Sequence, residues 1–213
     1  MNHPFLSSVR IAVSVLIGII LMPASITAQN SLTIISSGQT GTSGTNWSIS
    51  GNTLTVSGGN ASVQASVISN HLQATGDLII SASGNIVIDQ NITATLSANR
   101  KLTFKANADV IMNAGRAVTA SGSALNTILW SDADNTNGGM IFCKDGSSIT
   151  TNGGHVWMGG GSINSNWNGL TVGNSSAKAK TFVAAASIMQ LAGQAQHYQN
   201  AITLENFDVT TSG

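Results

Sequence analysis

The chain contains few charged residues and has no net charge, which argues against binding to nucleic acid or to acidic membranes. Only 8% of its 213 residues are charged, whereas average soluble domains carry about 25%. The formal net charge is zero, so the chain lacks the basic field with which proteins attract nucleic acid or acidic membranes. Disorder is also disfavoured, because 42% of the residues are hydrophobic and Val, Ile and Leu recur at intervals suited to a core.

Cysteine and proline are also scarce. Because Cys143 is the only cysteine, the chain cannot form an internal disulfide. We expect Cys143 to be a small inward-facing residue of the segment MIFCKD. A nucleophilic role is disfavoured because no histidine follows it at a suggestive spacing. The two prolines, Pro4 and Pro23, both lie near the N-terminus, outside the part of the chain for which we predict a fold.

The N-terminal segment has the features of an export signal. Arg10 precedes an apolar run of twelve residues, IAVSVLIGIILM, which is followed by Pro23 and by small residues. Such a run is too short for a comfortable membrane span and suits the central region of a secretory signal. We therefore predict that residues 1–28 form a signal peptide cleaved after Ala28, and that the mature chain is secreted. The alternative is an uncleaved N-terminal anchor.

Residues 75–121 contain an internal repeat of alternating apolar residues. Leu78 and Ile80 correspond to Leu102 and Phe104, 24 positions later. The other matched pairs are Ile86 with Val110, Ile88 with Met112, Ile92 with Val118, and Ala94 with Ala120. Alternation over four or five residues is typical of half-buried strands, and a repeat of roughly 20–30 residues is typical of a solenoid. The repeat predicts an all-β, single-stranded parallel β-helix with three short strands in each coil.

The rest of the chain continues this pattern with interruptions. We expect residues 29–74 to form N-terminal strands and a cap, and residues 75–213 to form the coils of the β-helix. Short helical insertions are predicted near 61–74, where a strand is the alternative, and near 177–195, where an irregular loop beside a strand around Phe182 is the alternative. The chain ends at TTSG, where a turn should lead into another coil, so we expect the array to be truncated there.

One segment of the coil predicted over residues 125–152 is a candidate contact site. Ile128 and Trp130 are assigned to its first strand, and Trp130 is followed by Asp132 and Asp134. If the strand continues, both carboxylates face the same way beside an aromatic ring on which a sugar could stack. The same residues could bind Ca²⁺, which takes six to eight oxygen ligands, although the acidic residue that closes an EF-type loop is missing. A structural loop is the third interpretation.

The next coil offers a second aromatic candidate. Val156, Trp157 and Met158 alternate in the segment GGHVWMGGG, so either Trp157 or its two neighbours must face outwards. We expect Val156 and Met158 to be buried and Trp157 to be exposed as a contact point. Most acidic residues elsewhere lie where a strand begins or ends, where Asp bonds nearby backbone N–H groups in turns.

The segments TGDLIISASGNIVIDQNITAT, which contains GNI, and LWSDADNTNGGMIF…ITTNGG resemble the repeats of filamentous haemagglutinin-type exoproteins. The resemblance covers residues 75–165 and returns weakly in 201–213. It implies a right-handed parallel β-helix and a large secreted bacterial surface adhesin. It implies no catalytic residues and no cofactor.

The leading hypothesis is therefore a non-enzymatic, secreted, adhesin-like stalk that contacts glycans or proteins on cell surfaces. The alternative is a β-helix carbohydrate-active enzyme, a polysaccharide lyase or glycoside hydrolase, which would bring two carboxyl groups within about 5–10 Å of each other. An ice-binding rod is a third hypothesis. It requires a row of Thr at one position of successive coils, and Thr95, Ala120 and Thr151 do not form such a row.

Overall fold

The computed structural model describes residues 29–134, 136, 138–160, 181–183 and 202–211. Its elements in chain order are β1 (Leu32–Ile35), β2 (Ser43–Gly44), β3 (Trp47–Ser50), β4 (Thr53–Val56), β5 (Ala61–Gln64), α1 (Ala65–Ala74), β6 (Leu78–Ala82), β7 (Ile86–Ile88), β8 (Ile92–Thr95), β9 (Arg100–Ala106), β10 (Val110–Met112), β11 (Ala117–Ser121), β12 (Leu125–Ser131), β13 (Ile141–Cys143), β14 (Ser148–Thr150), β15 (Val156–Gly160), β16 (Thr181–Val183), β17 (Ile202–Leu204) and β18 (Asp208–Thr210). The predicted signal peptide and most of the helical insertion predicted near 177–195 lie outside these residues.

The strands form three sheets that run along a β-solenoid of about five turns. The six-stranded sheet has the order β17-β13-β10-β7-β1-β5, the four-stranded sheet β18-β14-β11-β8, and the eight-stranded sheet β16-β15-β12-β9-β6-β4-β3-β2. From β6 to β15 the chain visits the eight-, six- and four-stranded sheets in turn. Strands therefore pair between coils and in parallel, which confirms the predicted parallel β-helix.

The pairing register confirms the repeat that the sequence predicts. Leu78 lies opposite Leu102 and Ile80 lies opposite Phe104 in the eight-stranded sheet. The other predicted pairs are also in register: Ile86 with Val110, Ile88 with Met112, Ile92 with Val118, and Ala94 with Ala120. Because a slip of one residue would turn every side chain to the other face of its strand, these matches fix which residues enter the core.

The core is a stack of aliphatic rows inside the coils. One row of the eight-stranded sheet consists of Leu54, Ile80, Phe104, Leu129 and Met158, all fully buried. Cys143 occupies an equivalent inward position in the six-stranded sheet, opposite Met112, as the sequence predicts. Burial raises the pKa of its thiol to about 12, so the thiol is protonated at neutral pH and a poor nucleophile.

The coil formed by β12, β13 and β14 places its apolar residues differently from the two coils before it. The inward positions of β12 are Leu125, Thr127 and Leu129, all fully buried. Thr127 lies opposite the buried residues Leu102 and Val156, and Leu129 lies opposite the buried residues Phe104 and Met158. Ile128 and Trp130, which the sequence analysis assigned to this strand, alternate with the inward residues and point outwards. A polar residue, Thr127, thus takes a place in the core.

The N-terminal end departs from the simple coil. β1 is inserted between β5 and β7 in the six-stranded sheet, and β2, β3 and β4 pair antiparallel. The segment 61–74 forms both of the structures that its pattern allows, the strand β5 and then the helix α1. The helix packs chiefly against β8, where the four-stranded sheet would otherwise begin with an open edge.

Helix α1 is held in place by its apolar face and by its C-terminus. Val67, Ile68 and Leu72 are buried against the coils, a spacing typical of one helical face. Arg100 donates from Nε to the carbonyl oxygen of Leu72 at 3.0 Å, which supplies a partner and a positive charge at the end of the helix dipole. The helix therefore covers an edge that would otherwise favour aggregation.

Candidate functional site

The candidate site lies on the outer face of the eight-stranded sheet, around Trp130. This residue is partly exposed and pairs with Lys105 of the preceding coil and with Gly159 of the following coil. Lys105 Nζ lies 4.8 Å from the centroid of the Trp130 ring, a cation–π contact. The pair is not evident in the sequence. It appears once Phe104 and Leu129, the residues that precede Lys105 and Trp130, are paired in the sheet.

Trp157 lies on the same face, one coil later. It is in register with Ile128, which makes it a diagonal neighbour of Trp130, at a distance that aromatic side chains bridge. The structure thus brings the two predicted tryptophans onto one surface. We name the surface formed by Lys105, Trp130 and Trp157 the tryptophan face.

The prediction that Trp157 is exposed is wrong. Val156 and Met158 are buried in the core as expected, but the Trp157 side chain is only 4% exposed. It belongs to an outward row in which Thr103 and Ile128 are buried as well. Alternation correctly indicates the direction of the side chain, but it carries no information about what covers an outward face. Trp130 is therefore the accessible aromatic residue of the tryptophan face.

The two carboxylates that follow do not lie on a strand face, so that prediction is also wrong. Strand β12 ends at Ser131, and Asp132 adopts a left-handed backbone conformation with φ of 47°, which turns the chain out of the sheet. Asp132 is 3% exposed, and its Oδ1 accepts a hydrogen bond from the Gly138 N–H at 3.1 Å. Asp134 is exposed, and its Oδ1 accepts from the Thr136 N–H at 3.3 Å.

These contacts are those of a structural turn. Among the described residues, no group of three or more His, Cys, Asp or Glu side chains is placed to hold a metal ion. Positions 135 and 137 of this turn lie outside the described part of the chain. The calcium hypothesis for Asp132 and Asp134 stays a prediction.

Other acidic and amide side chains link one coil to the next. Asp77 Oδ1 accepts from the Lys101 N–H at 2.9 Å, 24 residues later. Asn85 Oδ1 accepts from the Asp109 N–H at 3.0 Å, and Asp109 Oδ1 accepts in turn from the Met140 N–H at 2.9 Å. The same arrangement joins Asn91 to Ala117 and Asn126 to His155.

We name these contacts the coil-to-coil ladder. The sequence correctly predicts that Asp accepts hydrogen bonds from the backbone at strand ends, but it predicts donors that are close in the sequence. In the structure the partner lies on the following coil. These carboxylates are thereby used to stack coils.

A second polar column follows the corner after the six-stranded sheet. Asn113 donates from Nδ2 to Asp89 Oδ1 at 2.8 Å, and Lys144 donates from Nζ to Asn113 Oδ1 at 2.8 Å. Arg116 Nε lies 3.7 Å from Asp89 Oδ1, a distance that makes an ion pair without a good hydrogen bond. Charged groups at this corner are paired along the stack.

A shallow groove of about 360 Å³ lies beside α1. Its lining is hydroxyl and amide groups with one alanine: Ser36, Gln64, Ala65, Ser66, Ser69, Asn70, Gln73, Gln90, Asn91 and Thr93. Gln64 donates from Nε2 to the carbonyl oxygen of Ser36 at 3.0 Å, which ties the floor of the groove to the N-terminal strand. The groove has no charged lining residue that could act as an acid or a base.

Comparisons of the chain with protein-family models, with curated proteins and with solved structures find no match. No helix in the described part of the chain combines the length and the apolar character needed to cross a membrane.

Proposed function

We propose that the chain is a secreted, non-enzymatic, adhesin-like β-helix stalk, part of an exoprotein of the filamentous haemagglutinin type. In this proposal residues 1–28 direct export and the coils present a surface to glycans or proteins of neighbouring cells. The repeats within 75–165 that resemble such exoproteins support it, and so does the parallel β-solenoid into which those repeats fold.

The observation that carries the proposal is the coil-to-coil ladder. Each coil is joined to the next by parallel strand pairing and by side chains such as Asp77 and Asp109 that accept backbone N–H groups. Such connections resist both bending and separation of the coils, which is the mechanical requirement of a stalk.

The ladder also bears on the enzymatic alternative. Acid–base chemistry on a sugar needs carboxyl groups that are free to exchange protons with the substrate. Four of the acidic residues, Asp77, Asp109, Asp132 and Asp134, each have an oxygen that accepts a backbone N–H. Their hydrogen bonds therefore favour a structural use over a catalytic one.

The tryptophan face is the contact surface that we propose for glycans. A sugar presents C–H groups on one face and hydroxyls at its rim, and the Trp130 ring with the Lys105 ammonium offers an apolar plane beside a hydrogen-bond donor. Lys105 Nζ lies over one face of the ring, so a sugar that stacks on Trp130 uses the rest of the ring surface or displaces this ammonium.

The test compares the full chain with Trp130→Ala on an array of immobilised bacterial and host glycans. The matched control is Phe142→Ala, because Phe142 is also a partly exposed aromatic residue with a lysine, Lys144, at 5.7 Å from its ring centroid, but on another sheet. We expect Trp130→Ala to lose binding and Phe142→Ala to retain it.

The enzymatic alternative is tested in the same samples by measuring new reducing ends and unsaturated uronic acids. Bound glycans should remain intact. Release of either product by the wild-type chain would establish the enzyme and overturn the stalk. Loss of binding in both variants would mean that the tryptophan face is not the contact surface.

A further inference from the structure

The four-stranded sheet carries a row of threonines on its outer face. Thr93, Thr119, Thr150 and Thr210 lie opposite one another on β8, β11, β14 and β18. All four are at least partly exposed. Parallel strands are about 4.8 Å apart, so four successive coils present the same hydroxyl and the same methyl group at one regular interval.

This row is the feature that the sequence appeared to lack. Thr95, Ala120 and Thr151 are not equivalent positions: Thr95 pairs with Ser121, Ala120 pairs with Ala94, and Thr151 is fully buried. Ala120 and Thr151 each follow a member of the true row by one residue. Thr95, Ala120 and Thr151 therefore give no information about whether the outer face carries a threonine row.

The columns beside the row are also made of small side chains. Thr95 and Ser121 lie two residues further along their strands, and their hydroxyls are 3.2 Å apart. The column on the other side consists of Asn91, Ala117, Ser148 and Asp208. The face is therefore a two-dimensional array of short side chains, with a single charge at Asp208. We name it the threonine face.

The other two sheets do not present such a surface. The outward row of the six-stranded sheet contains Val87, Ile111 and Phe142, and that of the eight-stranded sheet contains Ile128 and Trp157. Hydroxyl-bearing residues do occur on these faces: Thr33 and Thr203 belong to the first row, Thr103 belongs to the second, and Ser43, Ser48, Thr55 and Ser81 are in register at one end of the eight-stranded sheet. Within the described residues, however, only the four-stranded sheet places four threonines in register. The solenoid itself does not require a threonine row, because the neighbouring faces are built without one.

The threonine face is also rigid. Directly beneath it, Ile92, Val118 and Ile149 form a fully buried row of β-branched residues. Thr is itself β-branched and restricted at χ1, so its hydroxyl and methyl groups hold a defined direction. A ligand that matches the array in two dimensions would bind without a further ordering cost.

We propose that the threonine face binds the surface of ice. The ligand must be a lattice that repeats along the stack and offers hydrogen-bonding oxygens without charge, and the Thr hydroxyls both donate and accept hydrogen bonds while their methyl groups exclude disordered water. A crystalline polysaccharide is also a lattice, but it presents sugar rings, and none of the six neighbouring side chains named above is aromatic. This activity uses a different face from the glycan contact proposed above.

The test measures thermal hysteresis and inhibition of ice recrystallisation with the full chain. The variants are Thr119→Tyr and Thr150→Tyr, which place a ring in the middle of the flat face; Tyr suits a strand, so the coils should persist. Thr55→Tyr is the matched control, because Thr55 is an exposed threonine on β4 of the eight-stranded sheet.

We expect hysteresis and faceted ice crystals with the wild-type chain and with Thr55→Tyr, and loss of most of the activity with either variant of the threonine face. Far-UV circular dichroism and the melting temperature verify that each variant is folded. Thr119→Val, which keeps the shape and removes the hydroxyl, serves as a second variant if Thr119→Tyr unfolds, and it should lose part of the activity because one hydroxyl of the row is missing.

Three results would each overturn the proposal: no hysteresis in the wild-type chain, equal losses in Thr55→Tyr and Thr119→Tyr, or sedimentation with microcrystalline cellulose or chitin in the absence of any effect on ice. Because the threonine face and the tryptophan face are mutated separately, a failure here leaves the glycan test unaffected.

Discussion

Two fully buried threonines allow a matched test of how the core is stabilised. Thr127 and Thr151 are both 0% exposed, but their hydroxyls are in different situations. Thr151 Oγ1 donates to the carbonyl oxygen of Gly154 at 2.7 Å. Thr127 Oγ1 lies in the core row between Leu102 and Val156, and within the described part of the chain it has no hydrogen-bond partner.

We expect Thr127→Val to stabilise the fold. In the unfolded chain the Thr127 hydroxyl is hydrated, and folding removes that water without supplying a partner, which costs about 1–3 kcal/mol. Valine has nearly the same shape, replaces the hydroxyl by a methyl group and leaves untouched the hydrogen bond from the backbone N–H to His155. We expect a gain of about 1–2 kcal/mol, which raises the melting temperature by about 2–8 °C in a chain of this size.

Thr151→Val should have the opposite effect. The substitution removes a buried hydrogen bond and leaves the Gly154 carbonyl oxygen without this donor, so we expect a loss of about 1–2 kcal/mol. Both variants are measured by urea unfolding followed by circular dichroism, with the slope of the transition used to verify that the unfolded state is unchanged. If Thr127→Val destabilises the chain as much as Thr151→Val does, the hydroxyl of Thr127 is satisfied and the account of this row is incorrect.

Three further predictions concern the core and the ladder. Phe104→Ala should destabilise the chain by about 3–5 kcal/mol, because Phe104 is fully buried in the middle of its row. A loss below about 1 kcal/mol in urea unfolding would contradict the stacked core. Asp109→Ala should lower the free energy of unfolding by about 1–2 kcal/mol, because the Met140 N–H loses its acceptor. Asp109→Asn should lower it less, because the amide oxygen still accepts. Equal losses in the two variants would argue against the coil-to-coil ladder. Cys143 should resist iodoacetamide at pH 8 in the native chain and react once the chain is unfolded in urea, because burial raises the pKa of its thiol to about 12; rapid alkylation of the native chain, followed by mass spectrometry, would show that the thiol is accessible.

The sequence is sufficient to predict the regular coils, because three independent signals agree over residues 75–121. Alternation identifies the strands, the polar residues between them identify the turns, and a constant offset identifies the pairing. Leu78 and Leu102 illustrate this agreement, since they are matched in the sequence and paired in the sheet. Where the offset changes, as in the 31 residues from Asp109 to Met140, the signal weakens.

The N-terminal end could not be predicted in the same way. β1 pairs with β5 on one side and with β7 on the other, although the segments are separated by unequal lengths of chain and share no repeat. Its place is determined by which edge remains open once the coils have formed, and that is a tertiary property. The helix α1 was predictable as one of two alternatives because Val67, Ile68 and Leu72 form an apolar face that suits a helix.

The candidate site shows a different limit. Sequence analysis identified Trp130, Asp132, Asp134 and Trp157, and the structure places both tryptophans on one face. It could not anticipate the burial of Trp157, because the exposure of an outward residue depends on what lies over the sheet. It also missed Lys105, whose relation to Trp130 appears only after strands from different coils are aligned.

The threonine face depends on alignment even more strictly. Side chains alternate along a strand, so an error of one residue exchanges the inner face for the outer face. Ala120 and Thr151 differ from Thr119 and Thr150 by that single step, and both are buried. Because Ala120 and Thr151 belong to the core, comparing them with Thr95 does not reveal the outer row of threonines. The outer rows of a β-solenoid can therefore be identified only after its inner rows have been paired, because only the buried aliphatic residues indicate the pairing register. Here the pairs Ile92–Val118 and Val118–Ile149 supply it, and the threonines one position further along each strand then fall into line.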